Sequence, residues 1–244
     1  MTKDAAPPAE MAGPGSPLRL LVLGANGPTG REVVQQALAR GHRVDALTRH
    51  PETFPLRHER LRVLAGDATD PAVIDDAVAA TDAIICTIGA AFTLKPVQVY
   101  SATTKGLITA MDNHHRRRLI VVTSAGVRRS HHQSGIAQVA AHGLMRHVLG
   151  RTVYDDMVKM EALVTASALD WTIVHPPGLV SIQGHGYSVA ANEIEGNLCA
   201  RDDLARLLLD QLTDDHFLRG IAAVATPGLT VSAGHMIRHE VLKR

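Results

Sequence analysis

The feature that most constrains this chain is a short apolar run at residues 20–23 that ends in three evenly spaced glycines, Gly24, Gly27 and Gly30. Helical periodicity follows at residues 31–40, so the segment predicts a strand, a tight turn and a helix. Gly24 allows a sharp turn, Gly27 leaves room for a pyrophosphate against bare backbone, and Gly30 lets the helix pack close to the strand. The helix N-terminus adds N–H groups and the positive end of its dipole. The spacing therefore indicates a phosphate-binding turn, with an ordinary strand-to-helix turn as the alternative.

The rest of the chain alternates apolar, strand-like runs with helical patterns. Its 244 residues and 45% hydrophobic content suit one domain with a sizeable core. The run at residues 83–89 is almost continuously apolar, as in a strand that is buried on both faces. We therefore predict an α/β fold, doubly wound around a mostly parallel sheet of about seven strands. After the first, the predicted strands are residues 42–48, 61–65, 83–89, 119–123, 169–175 and 222–226.

The ends and the charge of the chain limit its partners. Residues 1–17 are rich in Ala, Pro and Gly and lack the apolar core of a secretory signal, so we predict a disordered tail before a single domain at 18–244. No apolar run reaches the roughly 18 residues of a membrane span, and the net charge of +1 favours neither membrane nor nucleic acid. The basic cluster at 114–118 follows a predicted helix, where it complements the helix dipole.

The candidate metal ligands do not combine into a site. Cys86 and Cys199 match no metal-binding or redox spacing, which predicts a reducing, cytoplasmic compartment. His235 and His239 are four residues apart, but no glutamate follows the first of them. Zinc motifs of this kind need that glutamate and a third ligand, so we predict no metal.

The end of the second predicted strand bears on the choice of cofactor. A site that prefers NAD usually has an acidic residue there to bind the ribose 2′-hydroxyl. Here the strand ends at Thr48 and Arg49, and a guanidinium can pair with a 2′-phosphate. This indicates NADPH, with a solvated arginine as the alternative. Asp67 follows the third strand, where it can accept from the adenine amino group or cap a helix, although Asp70 is the better cap.

The later strands deliver polar groups to the same edge. Ser124 follows the fifth strand and is the side chain best placed beside a nicotinamide, with backbone capping as the alternative role. The long connection at 127–153 predicts a substrate lid whose histidines and arginines either meet an anionic substrate or are solvated. Residues 184–197 predict a flap, and a helix after it is expected to begin at an Asp cap near 202.

Several motifs recur together in a known family. The glycine turn, Thr48-Arg49, Gly66-Asp67, the Thr-Ser-Ala run at 123–125 and the segment at 169–177 resemble the atypical short-chain dehydrogenases/reductases. Within them the chain resembles the NAD(P)-binding, NmrA-like group and, most, the proteins related to flavin reductase and biliverdin-IXβ reductase. The resemblance implies a Rossmann domain that binds NADPH, with a planar substrate stacked over the nicotinamide.

The resemblance also implies a set of binding residues along the cofactor. The implied residues are Gly24, Asn26, Gly27, Pro28, Thr29 and Gly30 at the pyrophosphate, Arg49 at the 2′-phosphate, Asp67 and Ala68 at the adenine, Ile88 and Gly89 at the ribose, and Thr123, Ser124 and Pro176 toward the nicotinamide.

The chain departs from its relatives at the catalytic positions. The flavin reductase group carries two active-site histidines where this chain has Met157 and Gly178, which leaves His175 as a possible substitute. Other short-chain dehydrogenases use a Tyr-x-x-x-Lys pair, whereas Tyr154 and Lys159 are five residues apart. On a helix that spacing separates the two side chains by about 140°.

We therefore predict an NADPH-dependent oxidoreductase that transfers hydride to a flavin, a quinone or another conjugated aromatic molecule, with Ser124, Tyr154 and His175 as catalytic candidates. Phe92 and Tyr187 are the aromatic residues expected at the substrate, with core packing as the alternative. Two other functions remain open: an NADP(H)-binding redox sensor of the NmrA type, and a dedicated biosynthetic reductase or isomerase. The oligomeric state is open, and a monomer is compatible with the sequence.

Overall fold

The structure, a computed structural model, describes residues 16–127 and 150–229. Within those residues the chain forms ten strands and five α-helices, with short 3-10 turns at Pro51–Thr53 and Ala125–Val127. In chain order these are β1 (Arg19–Leu23), α1 (Pro28–Ala39), β2 (Arg43–Thr48), β3 (Leu61–Ala65), α2 (Pro71–Val78), β4 (Ala83–Cys86), α3 (Val99–Asn113), β5 (Arg118–Val122), α4 (Arg151–Ala166), β6 (Asp170–His175), β7 (Gly178–Val180), β8 (Ser188–Ala191), β9 (Leu198–Ala200), α5 (Arg201–Asp210) and β10 (Gly220–Ala225).

Eight of the described strands form one sheet, in the order β3-β2-β1-β4-β5-β6-β10-β8. Every pairing is parallel except that of β8, which runs antiparallel to β10. The strand order reverses between β1 and β4, which is the switch point where doubly wound sheets bind ligands. This confirms the predicted fold class. The eighth strand comes from the segment that the sequence predicts as a flap.

The core lies on both faces of the sheet because alternate residues of each buried strand point to opposite sides. Leu20 and Val22 of β1 pack into the cluster that includes α1 and α5. Leu21 and Leu23 pack into the cluster that includes α2, α3 and α4. The result is three layers, and both faces of β1, β4 and β5 are covered, which explains their nearly continuous apolar sequences.

Two acidic side chains cap the N-termini of helices in different ways. Asp70 caps α2 as the sequence predicts, because its Oδ1 accepts from the backbone N–H of Ala72 at 2.9 Å. Asp156 lies inside α4 and is fully buried. Its carboxylate accepts from the N–H of Tyr100 at 2.9 Å and from the hydroxyl of Ser101 at 2.5 Å. Asp156 therefore caps α3 from a neighbouring helix, and α4 itself begins at Arg151.

The segment before β8 is attached to the N-terminus of α5. The N–H of Gly184 donates to both oxygens of Asp202 at 3.0 and 2.8 Å, and the N–H of Gly186 donates to Asp203 at 3.0 Å. The residue before α5 is Ala200, with no side-chain cap among the described residues. The expected Asp cap is therefore wrong: these two aspartates lie in the first turn and bind the loop.

The buried carboxylate of Asp45 links the strands β1, β2 and β3. Asp45 of β2 has 3% of its side chain exposed and accepts from Arg19 of β1 at 2.9 Å. It also binds Arg62 of β3 through two contacts, at 3.0 and 2.9 Å. The ion pairs thus span three adjacent strands.

Some expectations fall outside the described residues. These are most of the predicted tail, most of the lid at 127–153, and His235 with His239. Of the helices within 16–127 and 150–229, none has the length and apolar character needed to cross a membrane.

Candidate cofactor and substrate site

The glycine turn is built so that side chains cannot be added at two of its positions. Gly24 has φ of +72°, and a Cβ atom there would lie 2.6 Å from the carbonyl oxygen of Thr87. A Cβ on Gly30 would overlap the carbonyl oxygen of Gly24. Gly27 donates its N–H to that same oxygen at 2.9 Å. The turn is therefore compact, and glycine is required at both positions.

The N-terminus of α1 follows this turn directly. Gly27 is the N-cap, Pro28 is the first helical residue, and no side chain of the described residues caps the helix. The N–H groups of Thr29 and Gly30 thus belong to an uncapped first turn, the arrangement that binds anions at helix N-termini.

Asn26 supports the turn through its side chain. Its Nδ2 donates to the Thr53 hydroxyl at 2.9 Å, and its Oδ1 accepts from the Arg31 guanidinium at 2.7 Å. Asn26 therefore links the glycine turn to the 3-10 turn that follows β2. Arg31 was not expected from the sequence, and it adds a positive charge beside the helix N-terminus.

Arg49 and Asp67 lie near each other at the ends of β2 and β3. Both are exposed, and Arg49 makes no hydrogen bond or ion pair within residues 16–127 and 150–229. The pKa of Asp67 is lowered mainly by hydrogen bonds from the backbone and hydroxyl of Thr69, and further by the charge of Arg49. Ala68 packs partly buried against the core. Arg57, by contrast, donates to the carbonyls of its own loop, at 2.6 Å to that of Phe54.

The end of β4 lies against the glycine turn. The hydroxyl of Thr87 donates to the carbonyl of Leu23 at 2.9 Å, which ties the ends of β4 and β1 together. Ile88 is buried and Gly89 is exposed. A Cβ on Gly89 would meet no atom of the described chain within 4 Å, so this glycine is not required by packing. Thr87 is a site residue that the sequence alone did not single out.

The ends of β5 and β6 continue their pairing beyond the strands. Thr123 donates its N–H to the carbonyl of Val174 at 3.1 Å, and Ala125 donates to that of Pro176 at 2.9 Å. Ser124 Oγ accepts from the N–H of Gly126 at 3.1 Å, which leaves the hydroxyl hydrogen to donate elsewhere. Pro176 is buried behind this segment.

Tyr154 lies against the same segment. A Cβ on Gly126 would come within 2.7–2.9 Å of the outer ring atoms and the hydroxyl oxygen of Tyr154, so this side chain lies directly over Gly126. The ring of Phe92 lies beside it, with the ring centroids 6.1 Å apart. Phe92 is 50% exposed. The structure therefore brings Ser124, Tyr154 and Phe92 to one place.

The Tyr/Lys pair of other short-chain dehydrogenases is not formed. Tyr154 lies within α4, and Lys159 is exposed. The position four residues after Tyr154, which shares its helix face, is Val158, and it is 45% exposed. Carbonyl reduction through that pair is thus incompatible with this helix.

His175 lies inside the protein, with 1% of its surface exposed. Its Nε2 is 2.8 Å from Glu161 Oε1. The same oxygen accepts from the Thr123 hydroxyl at 2.6 Å. Glu161 was missed by sequence reasoning. The sequence contains one sign that could have pointed to it, because Asp156 and Glu161 both interrupt the apolar stripe of α4.

Tyr187 is not near Ser124. It packs against the α1/α5 side of the core, and its hydroxyl donates to Asp210 at 2.5 Å. Burial and this carboxylate raise the pKa of Tyr187 well above the ordinary tyrosine value. Of the two aromatic residues expected at the substrate, only Phe92 lies beside Tyr154.

The turn, the uncapped helix and the strand ends share the carboxyl edge of the sheet, next to the reversal of strand order. Comparison with known proteins identifies the family of this chain. The chain belongs to the NAD(P)H-binding family, whose pattern it matches over residues 24–215. The family-level expectation is therefore confirmed.

Solved structures with the same fold include three oxidoreductases. A short-chain dehydrogenase/reductase from Veillonella parvula, in complex with NADP, is 18% identical over 86% of this chain and 95% of its own, with a TM-score of 0.72. ChuY, an anaerobilin reductase from Escherichia coli O157:H7, is 21% identical over 88% and 100%, with a TM-score of 0.67. The oxidoreductase YlbE from Lactococcus lactis is 16% identical over 86% and 91%, with a TM-score of 0.70. At these identities the likeness concerns the fold.

Proposed function

We propose that this protein is an NADPH-dependent reductase whose acceptor is a flavin, a quinone or another conjugated aromatic molecule. The observation that carries the proposal is the meeting of Ser124, Tyr154 and exposed Phe92 beyond the end of β5, without a lysine four residues after the tyrosine. Acceptors of this kind take hydride readily and need little acid catalysis, so a site with hydroxyl donors and water suffices.

The residues present fit a dinucleotide. The backbone of Gly24, Gly27 and Gly30 leaves a cradle that any Cβ would fill or distort, and the first turn of α1 supplies N–H donors to the pyrophosphate. Arg49 would pair with the 2′-phosphate, because its guanidinium is exposed and makes no hydrogen bond or ion pair within the described ranges. Asp67, Ala68, Ile88 and Gly89 would line the adenine and ribose, and Thr123, Ser124 and Pro176 the nicotinamide end.

The protein's own groups would orient the acceptor. When bound, NADPH supplies a hydride, so the acceptor gains two electrons and one hydrogen and takes a further proton from water. Ser124 would donate its hydroxyl hydrogen to an oxygen or nitrogen of the acceptor, since its Oγ already accepts from Gly126. The Tyr154 hydroxyl would provide a second polar group, while its ring and that of Phe92 give a planar molecule an aromatic surface.

The existence of an anaerobilin reductase with this fold supports the choice of a large conjugated acceptor. His175 is predicted as catalytic from the sequence. Its burial and its contact with Glu161 favour a supporting role instead, because it does not reach the surface where an acceptor would lie.

One observation favours the sensor of the NmrA type as a second candidate. Met157 and Gly178 replace both active-site histidines of the flavin reductase group, and the Tyr/Lys pair is not formed. A protein that binds NADP(H) without turnover would tolerate both changes. The dedicated biosynthetic reductase or isomerase remains a narrower form of the first proposal.

The test follows NADPH absorbance with FMN and then a simple quinone, in wild type, Ser124→Ala and Arg49→Ala. Arg43→Ala is the matched control, because Arg43 is exposed at the opposite end of the same strand. Steady oxidation of NADPH that falls in Ser124→Ala and Arg49→Ala, and does not fall in Arg43→Ala, supports the proposed reductase. Tight NADPH binding without oxidation by either acceptor favours the sensor, and absence of binding refutes the cofactor site.

A further inference from the structure

Three polar side chains meet in the interior directly behind the candidate nicotinamide end. The Thr123 hydroxyl at the end of β5 donates to Glu161 Oε1 at 2.6 Å. His175 Nε2, from the end of β6, is 2.8 Å from the same oxygen. Glu161 is 9% exposed and His175 is 1% exposed. A carboxylate, an imidazole and a hydroxyl from three elements thus form one buried network.

The network holds the carboxyl group of Glu161 in the interior, where a charged group is unfavourable. Moving a carboxylate out of water opposes folding unless hydrogen bonds compensate, and apolar residues of similar volume would often serve stability as well. A neutral imidazole already satisfies the geometry, because one N–H directed at Glu161 is enough.

The carboxyl group of Glu161 accepts the hydrogen bond that holds the Thr123 side chain. Thr123 and Ser124 are consecutive, and the backbone pairing of Thr123 and Ala125 with β6 fixes the segment that carries Ser124. An electrostatic effect of Glu161 would therefore act at the nicotinamide end and not at the pyrophosphate. Inside a protein such an effect is stronger than in water because the effective dielectric constant is lower.

We propose that Glu161 is a positioning and electrostatic residue that favours the oxidised, positively charged form of the nicotinamide over the reduced, neutral form. The inference rests on the cofactor site of the proposed function. A charge that stabilises the ring as it becomes positive also lowers the barrier to hydride donation. Thr123 transmits the effect by keeping the carboxylate fixed behind the strand end.

The experiment compares dissociation constants of NADP⁺ and NADPH, measured separately by titration of the purified protein, in wild type and Glu161→Gln. Glutamine keeps the shape and an oxygen acceptor for Thr123 but removes the charge. We expect the preference for NADP⁺ relative to NADPH to fall by about fivefold. A general loosening of the fold would instead weaken both forms alike, so the ratio separates the two explanations.

Asp156→Asn is the matched control. Asp156 is also a buried, hydrogen-bonded acid of α4, but its hydrogen bonds within the described residues go to the start of α3. We expect this variant to leave the NADP⁺/NADPH ratio unchanged. Glu161→Asp, which keeps the charge, is expected to restore most of the wild-type ratio.

If Glu161→Gln does not fold, the double variant Glu161→Met/His175→Leu removes the whole pair and is expected to show the same fivefold change. A ratio within twofold of wild type in a folded variant that lacks the charge would overturn the inference and leave the cofactor site intact. Failure of the wild-type protein to bind either form would refute the proposed function itself.

Discussion

Replacing Asp156 with alanine is expected to destabilise the protein by about 2–4 kcal/mol. The carboxylate is fully buried, and it accepts from two consecutive backbone N–H groups and one hydroxyl at the start of α3. Loss of a helix cap typically accounts for about 1 kcal/mol. Here the cost is higher than for an exposed cap, because the N–H of Tyr100 and the hydroxyl of Ser101 would both lose their acceptor, and an unsatisfied buried group costs about 1–3 kcal/mol.

The measurement is urea unfolding followed by the fluorescence of Trp171, which is the single tryptophan of the sequence and is buried in β6. The midpoint should fall while the slope stays constant, since the surface exposed on unfolding is nearly the same.

Asp155→Ala is the internal control for this experiment. Asp155 is the neighbouring acid, but it is exposed and, among the described residues, pairs with Arg151 at 3.7 Å, so its loss should change stability by less than about 0.5 kcal/mol. Equal effects of the two substitutions would show that the buried cap does not stabilise the fold, and the reasoning would fail.

Three further predictions concern the site and its surroundings. Arg49→Ala should raise the dissociation constant of NADPH by about 10- to 100-fold and leave that of NADH nearly unchanged; equal losses for both, in fluorescence titrations, would contradict the 2′-phosphate role. Gly30→Ala should destabilise the protein by about 1–3 kcal/mol because its Cβ overlaps the Gly24 carbonyl, whereas Gly89→Ala meets no described atom and should be silent in the same unfolding assay. Burial raises the pKa of Tyr100 to about 12, so the stability that its proton provides is present below about pH 10 and lost as pH rises toward 12. Tyr100→Phe should flatten that part of the stability curve, and parallel curves for the two proteins would contradict it.

The parts of this fold that follow local rules were predictable from the sequence. The glycine turn, the buried strands and the Asp70 cap each depend on residues close together in the chain, so their pattern is visible in a single segment.

The parts that depend on distant residues were not predictable. Asp156 and Glu161 look like polar interruptions of an apolar stripe, and their partners lie 55 and 38 residues away. The edge strand β8 was interpreted as a flap because its pairing with β10 involves residues that no local pattern connects. Tyr187 was expected at the substrate, but the direction of its side chain is set by Asp210.

The carboxylate of Asp45 has a consequence for the far end of its strand. A slip of β2 by one residue would turn every side chain of the strand to the opposite face. Asp45 would then leave Arg19 and Arg62 without their shared acceptor, and the misaligned sheet would contain a buried acid with no partner. These ion pairs therefore favour the correct register of β2 against its two neighbouring strands. Arg49 lies four residues further along the chain, so the alignment that these ion pairs favour also affects where its side chain lies.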